Sequence, residues 1–292
     1  MNKITKRSCL AIIISVLLAF FICKMNEAYV QDLNGYSIYF LVAVIAFILN
    51  WVAFIPAYIA QTEHYFDITG TLTYLAILAF TFFYADVMSN PRALLLILLP
   101  SIWTIRLGSF LFTRIQRTGK DSRFDDIKPN FFRFLTSWTL QALWAFLTLS
   151  AALAVITSTN QTPLGVYAII GSLLWVIGFG IEVIADRQKS AFKKDPKNDG
   201  NFITSGLWAY SRHPNYFGEI MLWTGIFVIC IPVLEGTQWV TIISPVFIFL
   251  LLKYISGINL LEKAADKKWG SKPDYEEYKN NTSELVLWPQ SS

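Results

Sequence analysis

Long runs of apolar residues, each about the length of a bilayer crossing, alternate with short polar connections along almost the whole chain. The runs fall at 8–23, 37–60, 71–88, 92–113, 134–156, 163–185, 217–232 and 238–256. About 20 apolar residues in a helix cross a hydrocarbon layer of about 30 Å, so the pattern predicts about eight transmembrane helices. The runs are continuous and do not alternate in polarity, which excludes a membrane barrel of strands. The expected fold class is therefore all-α: a polytopic integral membrane helical bundle, with residues 1–292 as one membrane domain. The first run, KITKRSCLAIIISVLLAFFICK, has the basic start of a signal peptide. No small-x-small cleavage site follows it, only Lys24, Met25, Asn26 and Glu27, so it is expected to stay as a span.

Composition sharpens this picture. Apolar residues make up 54% of the chain and charged residues only 15%, against about 25% charged in soluble domains. The basic residues are distributed unevenly. Lys3, Lys6 and Arg7 precede the first run. Arg114, Arg117, Lys120, Arg123, Lys128 and Arg133 follow the fourth, and Arg187, Lys189, Lys193, Lys194, Lys197 and Arg212 follow the sixth. Lys263, Lys267 and Lys268 follow the last, whereas the alternate connections carry only Lys24 and Arg92. The positive-inside bias places both termini and the long loops in the cytoplasm. This topology also accounts for the net charge of +4, so no nucleic-acid partner is expected. Cys9, Cys23 and Cys230 lie in or beside spans without a CxxC pair, and two histidines, His64 and His213, are too few for a haem or zinc centre. No metal site is expected, and the cysteines read as small apolar fillers.

The polar chemistry gathers on that one face. Glu182 and Asp186 are four residues apart, on one side of a helix at the end of the sixth run. They offer acceptors to a ribose or an amide, or pair with a basic residue of another helix. The basic stretch from Arg187 to Lys197 serves topology and equally suits a phosphate. Then comes GLWAYSRHPNYFGE, 206–219. Pro214 favours the first position of a helix, so Arg212 and His213 stand at a helix N-terminus, where free N–H groups and the dipole attract anions. Asn215 and Glu219 again share one helical face. Trp208, Tyr210 and Tyr216 fit an interfacial aromatic belt as well.

These residues carry a resemblance. GLWAYSRHPNYFGE resembles the signature of the steroid 5-alpha-reductase-like membrane family, in its bacterial branch. TEHYFDITGTLTY at 62–74, WTIRLGSFLFTRIQRTGKDSRFDD at 103–126, GIEVIADRQK at 180–189 and the ending from GINLLEK at 257 extend the likeness across most of the chain. The resemblance implies an integral-membrane, NADPH-dependent reductase of a conjugated carbon–carbon double bond in a lipophilic substrate. Its site would face the cytoplasm from a bacterial inner membrane and use no Rossmann domain. By motif position it implies cofactor contacts for Asp186, Asn215 and Glu219, for Glu182 in place of an asparagine, and for Lys120 in place of an arginine. Arg187, Arg212, His213, Tyr216 and Glu262 complete the expected cofactor set, within a binding portion at 178–292.

The chain departs from the steroid reductases at the substrate carbonyl. Leu49 or Asn50 falls near their early-helix glutamate and Trp103 near their tyrosine, and neither supplies the acid. Glu63, His64, Tyr65 and Asp67, in the turn after the second run, and Arg106 within the fourth, are the remaining candidates for acid or orienter. Two other readings compete. RHPNY also resembles the RHPxY element of isoprenylcysteine carboxyl methyltransferases, which bind S-adenosylmethionine, although their downstream glutamate pair is here Glu262 alone. A transporter or scaffold would instead place charges at the membrane midplane, where this chain has few.

Overall fold

The computed structural model describes residues 3–160 and 162–289, and within them every side chain except those of residues 117, 118 and 122. It is 76% helical. A hairpin of β1 (Asp32–Leu33) with β2 (Tyr36–Ser37) turns through Asn34 and Gly35 at positive φ. The main helices are α1 (Lys3–Asn26), α2 (Ile38–Ile59), α3 (Phe66–Tyr84), α4 (Pro91–Thr118), α5 (Phe131–Ile156), α6 (Val166–Lys194), α7 (Pro214–Cys230), α8 (Ile243–Leu250), α9 (Ile258–Trp269) and α10 (Pro273–Asn281). Their starts follow local chemistry. Ser37 accepts from Phe40 N, Asn130 from Arg133 N, and Asn90 from Arg92 N and Ala93 N ahead of Pro91. Gly119, left-handed at φ 75°, ends α4.

A polytopic helical bundle is what the apolar runs anticipate, with one difference in number. Among the described residues, seven helices are long and apolar enough to cross a membrane. The run expected at 217–232 is α7, with 17 residues; at 1.5 Å per residue it reaches about 26 Å, short of a full hydrocarbon layer. Two boundaries move further. α6 continues nine residues past 185 to Lys194, because DRQKSAFKK contains no breaker before Asp195–Pro196. The last run continues from Gly236 through α8, a π turn at Leu251–Ile255 and α9 to Trp269, so Glu262 sits on a helix.

The chain divides into two compact units, Met1–Tyr167 with Cys230–Ser244, and Ala168–Ile229 with Pro245–Ser292. The first is built around α5, in whose apolar window 89% of residues are buried. An aromatic core of Phe54, Phe124, Phe134 and Trp138 closes one end of it. Deeper in the unit lies a buried amide knot. Asn50 Nδ2 donates to Thr73 Oγ1 at 3.0 Å, and Gln141 Nε2 donates to Asn50 Oδ1 and to Phe66 O, each at 3.0 Å. These bonds tie α2, α3 and α5 together where bare polar groups would be costly.

The second unit is organised by glycine. Gly171 and Gly178 on α6 are seven residues apart, as are Gly218 and Gly225 on α7. A Cβ on Gly171 would lie 2.5 Å from Gly225 O, and one on Gly178 would lie 2.6 Å from Gly218 O. The two helices thus run antiparallel with their backbones touching, the close approach that small residues permit in membranes.

Candidate functional site

Glycine contact sets the register of the polar ends of α6 and α7. A Cβ on Gly218 would lie 2.7 Å from Glu182 N, so the first turn of α7 faces the last apolar turn of α6. One turn further along, Asn215 Nδ2 donates to Asp186 Oδ1 at 3.3 Å. Glu182, Asp186 and Glu219 are all buried, at 3%, 7% and 9% exposure. Four polar side chains predicted from i, i+4 spacing therefore meet on two facing helix ends.

The turn ahead of α7 is held rigidly. Trp208 Nε1 donates to Ala185 O at 3.1 Å, and Gln188 Oε1 accepts from Leu207 N at 3.0 Å. Lys189 lies over the Trp208 ring, 4.5 Å from its centroid. Arg212 is spent on structure: Nε and Nη2 reach Glu262 Oε1 and Oε2 at 3.2 and 3.1 Å, and Nη1 donates to Lys279 O and Thr282 O at 2.7 Å each. Arg212 N donates to Ser283 O, Ser211 Oγ to Leu285 O, and Trp288 N to Tyr210 O. The C-terminal segment thereby clamps the turn, and Arg212, expected among the cofactor contacts, forks onto the Glu262 carboxylate.

His213 presents the site's least satisfied atom. Its Nε2 lies 2.8 Å from Glu262 Oε1, its ring stacks on Tyr216 with centroids 5.8 Å apart, and its buried Nδ1 has no partner. Burial pushes its pKa below the ordinary value, outweighing the upward pull of the Glu262 carboxylate. A neutral ring donates Nε2–H to Glu262 and leaves Nδ1 as a bare acceptor.

The remaining predicted residues are placed as follows. Arg187 is exposed on α6. Lys120 pairs with Asp125 at 3.0 Å at an exposed loop. Glu63 is buried and filled, accepting from Lys128 Nζ at 2.7 Å and Asp121 N at 2.9 Å. Burial raises its pKa, but those two bonds and the ammonium charge win and hold it below the usual carboxylate range. His64 Nε2 sits 2.5 Å from Gly119 O and Tyr65 is exposed. Asp67 pairs with Arg114 at 3.3 Å. Arg106, expected to be buried, is half-buried, with its guanidinium 5.4 Å from the Phe110 centroid. Trp103 packs edge-on against Tyr74 and Trp144. Sequence reasoning placed Lys189 within the basic stretch from Arg187 to Lys197 but did not single it out as a neighbour of Asp186. Lys189 continues the 182, 186 series at helical spacing, a signal that required α6 to extend past 185.

The chemistry of the donor set suits a nucleotide cofactor. Ribose hydroxyls and a carboxamide need buried acceptors and an amide donor, which Glu182, Asp186, Glu219, Asn215 and His213 Nδ1 supply. Phosphates need accessible cations, and Arg187, Lys193, Lys194 and Lys197 are exposed on the continuing segment.

A family model described as "Protein of unknown function (DUF1295)" matches residues 53–282. A Delta(14)-sterol reductase of Arabidopsis thaliana is 36% identical over 74 residues, 22% of this chain and 20% of its own length. The probable O-methyltransferase ustE of Ustilaginoidea virens is 31% identical over 71 residues, 24% of this chain and 25% of its own length. The chain thus spans a quarter or less of the curated relatives it matches. No solved structure matches it.

Proposed function

The chain belongs to the family described as protein of unknown function DUF1295, a steroid 5-alpha-reductase-like family, and on that premise we propose that it works as a membrane-embedded, NADPH-dependent reductase. Its substrate is a lipophilic, steroid- or lipid-like molecule with a carbon–carbon double bond conjugated to a carbonyl. The observation that carries this reading is the Asp186–Asn215 bond at the joined ends of α6 and α7, flanked by buried Glu182, Glu219 and the bare His213 Nδ1. Partial similarity to a sterol reductase supports it.

NADPH, when bound, supplies the hydride that reduces the double bond. Asp186 and Asn215 orient the ribose and carboxamide, while the exposed cations from Arg187 to Lys197 hold the phosphates. Steroid-reductase chemistry would place an acid near Asn50 and a tyrosine near Trp103. Here Asn50 is consumed in the amide knot and Trp103 in an aromatic cluster. Polarisation of the carbonyl therefore falls to other groups, which separates this chain from steroid enone reduction in its known form. With α7 taken as a short eighth crossing, the site faces the cytoplasm of a bacterial inner membrane and both termini lie on that side, the orientation that the basic loops favour.

A second reading has its own support. The Arg212–Glu262–His213 lock follows an RHPxY pattern, and ustE is similar over a stretch of comparable length. Methyl transfer from S-adenosylmethionine is that alternative. Binding of NADPH and S-adenosylmethionine to the purified protein, measured side by side, decides between them. The reductase reading expects NADPH to bind and S-adenosylmethionine to fail; tight S-adenosylmethionine binding without NADPH binding overturns it.

A further inference from the structure

Beyond the Asp186 region, α6 leads to a separate open cleft of about 400 Å³, lined by Phe192, Asn198, Asn201, Phe202, Thr204 and Asp274. We infer that this cleft takes the adenine end of the cofactor. The inference rests on the preceding reading only in requiring an adenine-bearing cofactor; NADPH and S-adenosylmethionine both carry one.

The lining argues for a flat, neutral, hydrogen-bonding group. Two phenyl rings contribute, and one of them is fixed in place. Phe202 lies 5.1 to 5.7 Å, centroid to centroid, from Trp269, Tyr275 and Tyr278. Trp269 Nε1 and Lys272 Nζ both donate to Gly200 O, which anchors the loop that carries Phe202. Aromatic faces of this kind stack on a base at little entropic cost. Among the described residues no cation lines the cleft, and Asp274 would repel a phosphate there, so the phosphates belong to the lysines of the adjoining segment.

The polar groups in the cleft retain unused capacity. Asp274 Oδ1 accepts from Tyr275 N at 3.0 Å, which holds the carboxylate at the first turn of α10 and leaves Oδ2 free. The Asn201 backbone N–H donates to Asn198 O at 3.0 Å, which leaves its side-chain amide and the Thr204 hydroxyl to line the cleft. Asn198 donates to Phe192 O at 3.0 Å, which fixes its amide carbonyl as an acceptor. Three acceptors and one free amide match a base that carries an exocyclic amine. The adenine amine would donate to Asp274 Oδ2, whereas a base with a carbonyl at that position would set oxygen against carboxylate.

The spacing along α6 is consistent with one ligand. Phe192 is six residues past Asp186, about 9 Å of helix, so the cleft adjoins the Asp186 end of the site along the same element.

The test compares NADPH with its hypoxanthine analogue on the purified full chain, by calorimetry and by ligand-induced thermal shift. NADPH should bind about 10- to 150-fold more tightly. Asp274→Asn should remove most of that preference without lowering the apo melting temperature, because Asp274 is exposed. Asn201→Ala, also exposed, should weaken both ligands. Equal affinities for the two dinucleotides, or NADPH binding indifferent to both substitutions, would overturn the cleft assignment and leave the reductase reading standing. S-adenosylmethionine binding that depends on Asp274, with NADPH inert, would support the cleft and sink the reductase. Failure of NADPH, NADH and S-adenosylmethionine alike to bind would end both.

Discussion

Gly178 and Gly218 meet backbone to backbone: a methyl group on either would lie 2.6 or 2.5 Å from the other's carbonyl oxygen. The facing polar ends of α6 and α7 take their register from that contact. Glu182 and Asp186 lie one and two turns along α6, and Asn215 and Glu219 flank the same point on α7.

Gly178→Ala should therefore separate the helices, since neither carbonyl can yield without moving its backbone. We expect a destabilisation of about 1–3 kcal/mol, the usual cost of overpacking, together with weaker NADPH binding. Gly180→Ala, whose Cβ meets nothing within 4 Å, is the matched control and should be silent or slightly stabilising. Thermal unfolding in detergent reads both. Equal melting temperatures for the two variants would refute the register.

Asp186→Asn, Asn215→Ala and Glu219→Gln should weaken NADPH by about 10- to 150-fold, on top of an apo destabilisation of about 1–3 kcal/mol from disturbing buried, hydrogen-bonded groups. If these side chains serve only as helix glue, the apo melting temperature will fall but the NADPH-induced shift will survive.

Glu262→Gln should weigh more heavily on stability. It strips the carboxylate from a largely buried Arg212 that forks onto it at 3.1 and 3.2 Å. Breaking such a pair costs about 3–5 kcal/mol, so the apo protein itself should melt earlier. Arg212→Lys should recover little, because a single ammonium cannot reproduce the fork and the bonds to Lys279 O and Thr282 O.

His213 gives a pH signature. Its folded pKa lies below the ordinary 6.5, so the unfolded chain takes up a proton first as the medium is acidified. Its contribution to stability is complete above 6.5 and is lost as pH falls through that value toward the folded pKa. The melting-temperature difference between the wild type and His213→Gln should shrink between pH 7.5 and pH 5.5. A difference that grows on acidification would contradict the buried neutral imidazole.

Glu63→Gln tests the first unit. Its carboxylate binds Asp121 N and Lys128 Nζ, so the loop at 119–130 should loosen and become more sensitive to limited proteolysis. NADPH affinity should stay within about twofold, a change of roughly 0.4 kcal/mol.

The sequence by itself determined that the chain is a helical membrane protein, because continuous apolar runs with satisfied backbones admit few other structures in lipid. It also gathered the polar residues onto particular helix ends. Residue type and i, i+4 spacing sufficed to pair Glu182 with Asp186 and Asn215 with Glu219, and Pro214 does open α7. Other assignments depended on partners distant in sequence. Whether Arg212 binds a ligand or a protein carboxylate is decided by Glu262, 50 residues on, and by a returning C-terminus. The filling of Glu63 depends on Asp121 and Lys128 in the same way. Nor did hydropathy reveal that α6 runs to Lys194, since polar residues continue a helix as readily as apolar ones once it has begun. Charge and hydrogen-bond pairing is a property of space, so only the tertiary structure could show which polar groups are paired within the protein and with what.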